Sequence, residues 1–216
     1  MVYLTNRLNQ LNLTQGLTLM DTLVKNILEC HGMATRQEKL DGLQWYNRAR
    51  RDCRKVAKSK NLSLMKVVGV VAASSPNLGW PKNVPTAEQI IDGHTAQIDH
   101  EDIHGCMAYK ANRLKGYKVL DGVNRYTAIL KTLNGPKISA FFDNIMGGDS
   151  VTVDGHARNI AYAERVGLKS NAANIGKAEY RNIAQAYRDA AAILGIKACD
   201  LQAITWVTWR RIHGIK

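Results

Sequence analysis

The stretch from Leu62 to Ala73 is a dense apolar run interrupted by one charge, Lys66. It is too long for an ordinary strand and long enough for a buried helix. It ends at Ser74-Ser75-Pro76-Asn77, where the proline limits further helix. Upstream, Leu40, Leu43, Tyr46, Cys53 and Val56 recur near helical spacing. Residues 36–58 are therefore predicted as an amphipathic helix, opened by a capping box between Thr35 and Glu38. A second capping box, Thr86 with Gln89, is expected to start a short helix through Ile91. Further helices are expected at Met107–Leu120, Gly122–Leu133, Lys137–Met146, Gly155–Gly167, Ala178–Leu194 and Asp200–His213. Little in the chain alternates with period two, so the fold class predicted is all-α. Residues 1–34, Leu- and Asn-rich with turn-like Gly16 and Gly32, are expected as an N-terminal helical arm, and 35–216 as the main helical domain.

With 216 residues and 45% hydrophobic content, the chain has room for a substantial core. Lys and Arg outnumber Asp and Glu by 30 to 18, a net charge of +12. Such an excess attracts polyanions, nucleic acid first among them. An anionic membrane surface is the weaker alternative, because no apolar stretch reaches spanning length and no signal peptide opens the sequence. The four cysteines, Cys30, Cys53, Cys106 and Cys199, are far apart and form no C-x-x-C pair. A zinc ribbon or iron–sulfur cluster has no support, and the thiols are expected buried, in a reducing compartment. No cofactor is expected.

The other face of the 36–58 helix carries Arg48, Arg50, Arg51, Arg54, Lys55 and Lys58, beside Trp45 and Tyr46. A solvated basic face is the default for such a run. Phosphate contact weighs about equally here, although contacts of that kind position DNA without reading its sequence. His100-Glu101-Asp102-Ile103-His104 spells the H-E-x-x-H of zinc proteases. Gly105 follows at once, the flanks lack apolar character and no third ligand stands out, so a polar loop or helix end is expected and no metal. At the C-terminal end, Tyr187 and Trp206 are expected in the core. Trp209, with Arg210 and Arg211, is either core edge or DNA contact.

Lys137 and Asp154 each open a helical segment. Asp154 is expected as the N-cap of the helix beginning at Gly155. A lysine at a helix start is unfavourable, since the macrodipole opposes its charge by about 0.3–1 kcal/mol. A neutral amine is the nucleophilic form, and a nearby carboxylate offsets positive charge developing on a sugar.

The order Leu133-Asn134-Gly135-Pro136-Lys137, a helix, then Val151-Thr152-Val153-Asp154-Gly155-His156-Ala157-Arg158 resembles the core of the helix-hairpin-helix DNA glycosylases of the endonuclease III type. Their pattern is leucine-proline-glycine-x-glycine, a lysine soon after, and later valine-aspartate-x-histidine-x-x-arginine. Tyr109-Lys110-Ala111-Asn112-Arg113-Leu114 is similar to the family's N-K-A-x-x-L helix, and Val67–Ser75 stands where the family has its buried leucine-serine-alanine-glutamine helix. The resemblance covers residues 62–167 in the right order. The hairpin is degenerate: it is about two residues short and keeps only Gly135 of its two glycines. The four-cysteine cluster is absent. Altered hairpins resemble a second branch, the alpha-glutamyl/putrescinyl-thymidine pyrophosphorylase-like phage enzymes of DNA modification. Trp45-Tyr46-x-x-Ala49 and Ala73-x-x-Pro76-Asn77-x-x-Trp80-x-x-Asn83 are similar to small phage proteins.

The resemblance implies a two-lobed, all-helical enzyme whose cleft receives a nucleotide flipped out of double-stranded DNA. By it, Lys137 and Asp154 are the catalytic pair, with Lys137 attacking C1′, as in lyase-competent members, or orienting the reacting group. Asn77, or a neighbour within Ser74–Asn77, fills the gap left by the extruded base and Trp80 stacks on a base. Lys82, Lys110, Arg113, Gly135, His156, Arg158, Arg50, Arg51 and Arg54 complete the expected DNA contacts. The function expected first is DNA N-glycosylase, with or without lyase activity. A base-hypermodifying transferase and a non-catalytic DNA-binding protein are the alternatives. A monomer is expected, in the cytoplasm of a bacterial host.

Overall fold

The apolar run becomes the middle helix of one half of the protein. A computed structural model describes residues 18–167 and 174–215. Among these residues there are ten helices and no strand. They are α1 (Leu19–Gly32), α2 (Arg36–Ser59), α3 (Leu64–Ser74), α4 (Trp80–Thr95), α5 (Lys110–Asp121), α6 (Tyr126–Leu133), α7 (Pro136–Met146), α8 (Gly155–Tyr162), α9 (Lys177–Leu194) and α10 (Ala198–Ile212). The chain divides into two compact units. One is continuous, Gln44–Thr152; the other is discontinuous, Met1–Leu43 with Val153–Lys216.

In the continuous unit, Ser63 caps α3 by accepting from the Lys66 amide at 3.2 Å. All of Val67 to Ser74 is buried, and α4, α5, α6 and α7 pack around it. An all-round apolar helix is stable only when enclosed in this way. Gly69 allows the closest approach: a Cβ there would stand 2.8 Å from Val119 of α5. On α2, the buried positions Tyr46, Ala49, Cys53 and Val56 follow helical spacing.

The discontinuous unit buries Leu23 and Ile27 of α1, Ile160 of α8, Ile183 and Tyr187 of α9 and Leu201 of α10. Helix α1 packs against α8, α9 and α10. Its segment, expected as an arm, is therefore part of a core; residues 1–17 of that expectation lie outside the described residues. The Thr35–Glu38 capping box is present, with Thr35 N donating to Glu38 at 2.8 Å and Glu38 N to Thr35 Oγ1 at 3.2 Å.

Three local expectations change. Leu40 and Leu43 are 46% and 40% exposed. The inward position of that first part of α2 is Gly42 instead, where a Cβ would come within 2.6 Å of the Ile204 backbone. Thr86 does not cap a helix; it is buried in mid-α4, which starts at Trp80 and runs through Pro85. Gly79 is the actual N-cap and Pro81 lies in the first turn, where a missing N–H costs nothing. Trp209, at 7% exposure, is core edge, whereas Trp206 is half-exposed beneath the Arg210 guanidinium at 4.5 Å. All four cysteines are buried, as expected, and burial pushes the Cys53 thiol up to about 12.

Candidate nucleic-acid interface

In the continuous unit, α6 and α7 are joined by two residues. Asn134 closes α6 in the left-handed conformation (φ 43°, ψ 50°), and Gly135 is extended before Pro136 opens α7. Gly135 has no side chain with which to cap, so the first-turn amides of Lys137 and Ile138 have no capping side chain. Lys137 is half-buried and has no hydrogen bond or ion pair among the described residues. Lys115 Nζ donates to the Leu133 carbonyl at 2.7 Å, putting a cation at the negative end of α6. Tyr126 at the start of α6 donates to Asp143 of α7, clasping the two helices. Burial and that carboxylate raise the Tyr126 pKa, which keeps the phenol a donor.

Phe141 lies one turn beyond Lys137 on α7, so both occupy the same face. It meets two other half-exposed rings, Trp45 of α2 and Trp80 of α4. Trp45 to Trp80 is 5.4 Å at 66°, Trp45 to Phe141 5.8 Å at 48°, and Trp80 to Phe141 6.4 Å at 78°. Edge-on and tilted contacts of this kind are favourable between quadrupoles. Buried Tyr46 closes the inner side of the cluster, 4.9 Å from Trp45. Trp80 Nε1 donates to Asp52 at 3.2 Å. Burial pushes the Asp52 carboxyl up, but hydrogen bonds from Lys55 and Trp80 outweigh it and hold the group below its ordinary value.

The loop between α3 and α4 is tied at both ends. Ser74 Oγ donates to Asn83 Oδ1 at 2.8 Å, and Asn83 Nδ2 to the Val71 carbonyl at 3.2 Å, both buried. Between them, exposed Asn77 sits at φ 63° and donates to the Tyr109 hydroxyl at 2.7 Å. Tyr109 is itself 58% exposed.

The expected cations divide by what they touch. Arg50 Nε donates to the Ile145 carbonyl at 2.5 Å, at the C-terminal end of α7. Gly147 there has φ 107°, and a Cβ would strike the Arg50 guanidinium at 2.3 Å. Arg113 holds the carbonyls of Cys106 at 2.6 Å and Ala108 at 2.8 Å. Lys110 pairs with Glu101 at 2.7 Å on the surface. Arg51, Arg54 and Lys82 are exposed and make no hydrogen bond or ion pair among the described residues. His100 and His104 lie outside any helix, so they share no helical face.

In the discontinuous unit, Asp154 is the N-cap of α8 and accepts from the Ala157 amide at 2.9 Å. His156 is buried, with its ring 6.2 Å from that of Trp206. Arg158 donates to Glu179 at 3.0 Å, lies 3.5 Å from Glu164 and covers the Tyr162 ring at 4.8 Å. His156 and Arg158 are thus built into this unit's own packing. Lys137 and Asp154 belong to different units.

Sequence reasoning named Trp80 but assigned no part to Phe141, Asp52 or Tyr109. The spacing of Phe141 from Lys137 was the available signal. The convergence of Trp45, Trp80 and Phe141 from three helices had none.

The described residues define an all-helical protein of two units, with free cations and half-exposed aromatic rings on the continuous one. The chain belongs to a family of unknown function, DUF7178, whose model matches residues 9–213. No curated protein and no solved structure matches it.

Proposed function

We propose that the protein is a DNA-processing enzyme with the helix-hairpin-helix glycosylase fold, acting on a base drawn out of the duplex. The observation that carries this is Lys137: half-buried, without a hydrogen-bond or ion-pair partner among the described residues, in the first turn of an uncapped helix and on one face with Phe141. A lysine retained where the macrodipole opposes it does nothing for the helix, which argues for chemistry. Asn77 adds support. An exposed side chain on a left-handed loop tip, held by Tyr109, suits a wedge filling the space of a displaced base.

In the glycosylase reaction the neutral Nζ of Lys137 attacks C1′. The C1′–N bond breaks, the base leaves with the electron pair and takes up a proton, and the new ammonium gives up one. Arg51, Arg54 and Lys82 supply phosphate contacts, each adding about one to the slope of log affinity against log salt.

The test is incubation with duplex DNA carrying modified pyrimidines, followed by mass spectrometry of the soluble fraction and of the digested nucleosides. Free base is the expected product. A new nucleoside in an intact strand would assign a base-modifying transferase, and binding without product would assign a DNA-binding protein. Borohydride should trap a covalent adduct that Lys137→Ala cannot form. Unchanged product from Asp154→Asn would remove the aspartate from the chemistry.

A further inference from the structure

We propose that Asn134, in the turn between α6 and α7, is a site of spontaneous deamidation, and that the carboxylate it leaves at the start of α7 restrains Lys137. The modification stands on the turn alone, whereas its effect on activity rests on the DNA-processing function above.

Three exposed asparagines among the described residues hold the left-handed conformation: Asn61 at φ 51°, Asn77 at φ 63° and Asn134 at φ 43°. All three carry the same carboxamide, so what separates them is the backbone amide that follows, which is the nucleophile in this chemistry. After Asn61 the Leu62 amide donates to the Ala57 carbonyl at 3.0 Å, and after Asn77 the Leu78 amide donates to the Ser75 carbonyl at 3.1 Å. Asn77 is held further by its own bond to Tyr109. At Asn134 neither group is engaged. The Gly135 amide and the Asn134 carboxamide make no hydrogen bond among the described residues. The residue that follows is also a glycine, with no side chain to obstruct the approach. Pro136 keeps the turn open: the residue before a proline is driven extended, and Gly135 sits at φ −161° and ψ 130°, so its N–H cannot continue the ladder of α6.

The reaction needs only water as co-reactant. Once ψ of Asn134 turns from 50°, the Gly135 nitrogen attacks Asn134 Cγ. The new N–C bond closes a five-membered imide, the Cγ–Nδ2 bond breaks, and Nδ2 leaves as ammonia with the proton given up by the Gly135 nitrogen. Water then adds to either carbonyl of the imide and reopens it, leaving aspartate or isoaspartate.

The product changes the charge at one place. A neutral side chain becomes an anion in the turn just before Lys137, at the end of α7 where a negative group is favoured and a cation opposed. A carboxylate nearby favours the ammonium over the neutral amine, and the neutral amine is the attacking form. The converted protein is thus the less reactive one, and it reaches that state without an enzyme.

The test incubates full-length protein in mildly alkaline buffer and follows its peptides by mass spectrometry. The peptide holding Asn134 should gain about one dalton ahead of those holding Asn61 and Asn77, as –NH2 gives way to –OH. Gly135→Ala should slow that gain. The variant is expected to fold, since Gly135 is extended and an added Cβ meets nothing nearer than Ile138 at 3.4 Å. Conversion of Asn61 or Asn77 first, or an unchanged rate in Gly135→Ala, overturns the site. Asn134→Asp, standing for the product, should give about tenfold less borohydride adduct than the wild type. Equal trapping overturns the restraint on Lys137. A wild-type protein that traps no DNA while Asn134 still converts removes the proposed function and keeps the modification.

Discussion

Helices α7 and α8 begin in opposite ways. At α8 the carboxylate of Asp154 satisfies the Ala157 amide, and a few residues on Arg158 is held by two glutamates and a tyrosine ring. At α7 the cap position is a glycine, and the first charged side chain has the wrong sign for the dipole and no partner among the described residues. One helix start is built for stability, and the other gives some of it up. A count of positive charges cannot separate the two, because Arg158 and Lys137 add equally to the net charge. What separates them is whether the protein already uses the cation.

That contrast is open to attack by substitution. Lys137→Ala should abolish borohydride trapping and lower base release by about a hundredfold or more. Its thermal midpoint should hold or rise, since removing an opposed charge returns about 0.3–1 kcal/mol. A drop in stability would mean that Lys137 is structural after all. Arg158→Ala should do the reverse, costing about 2 kcal/mol in denaturant unfolding, between the values for exposed and buried pairs. Asp154→Ala should cost about 1 kcal/mol through the lost cap, whereas Asp154→Asn should keep that stability, since asparagine caps equally well. If Asp154→Asn melts like the alanine variant, the carboxylate does more than cap.

The mildest effect concerns pH. The Arg211 guanidinium, hydrogen-bonded to Glu38 at 2.6 Å, holds that carboxyl below its ordinary range. A depressed carboxylate contributes stability above its unfolded pKa, roughly 4.3, and the contribution is lost as pH falls through the lower folded value. Melts recorded at decreasing pH should show the midpoint falling below about pH 4. Arg211→Leu should flatten that fall, and an unchanged profile would count against the pairing.

The sequence revealed elements whose causes are local. Helix α3 followed from its own apolar run, and Thr35 with Glu38 marked the start of α2 within four residues of each other. Where local signals competed, the stronger packing won. Thr86 has the chemistry of a cap, yet Gly79 and Pro81 start α4 earlier and bury it. Leu40 and Leu43 match a helical stripe, yet the contact of Gly42 with Ile204 turns that part of α2 the other way. The candidate site was visible only in part for the same reason. Lys137 stands out by its position, but the partners of Arg50 and Arg113 are backbone carbonyls contributed by other segments, and no pattern of residue types marks a carbonyl. Convergence of rings from three helices is likewise a property of the packing.

The interleaved order of the two units sets a schedule for synthesis. Gln44–Thr152 is complete while Val153–Lys216 is still to be made. The middle of the chain can fold as soon as it emerges, but Leu23 and Ile27 on α1 find no partners until α8, α9 and α10 follow. At ordinary translation speeds that interval lasts several seconds. During it the nascent protein carries a finished body and a helix whose apolar face has nothing to cover it, so a premature stop near residue 152 would yield a folded fragment prone to self-association.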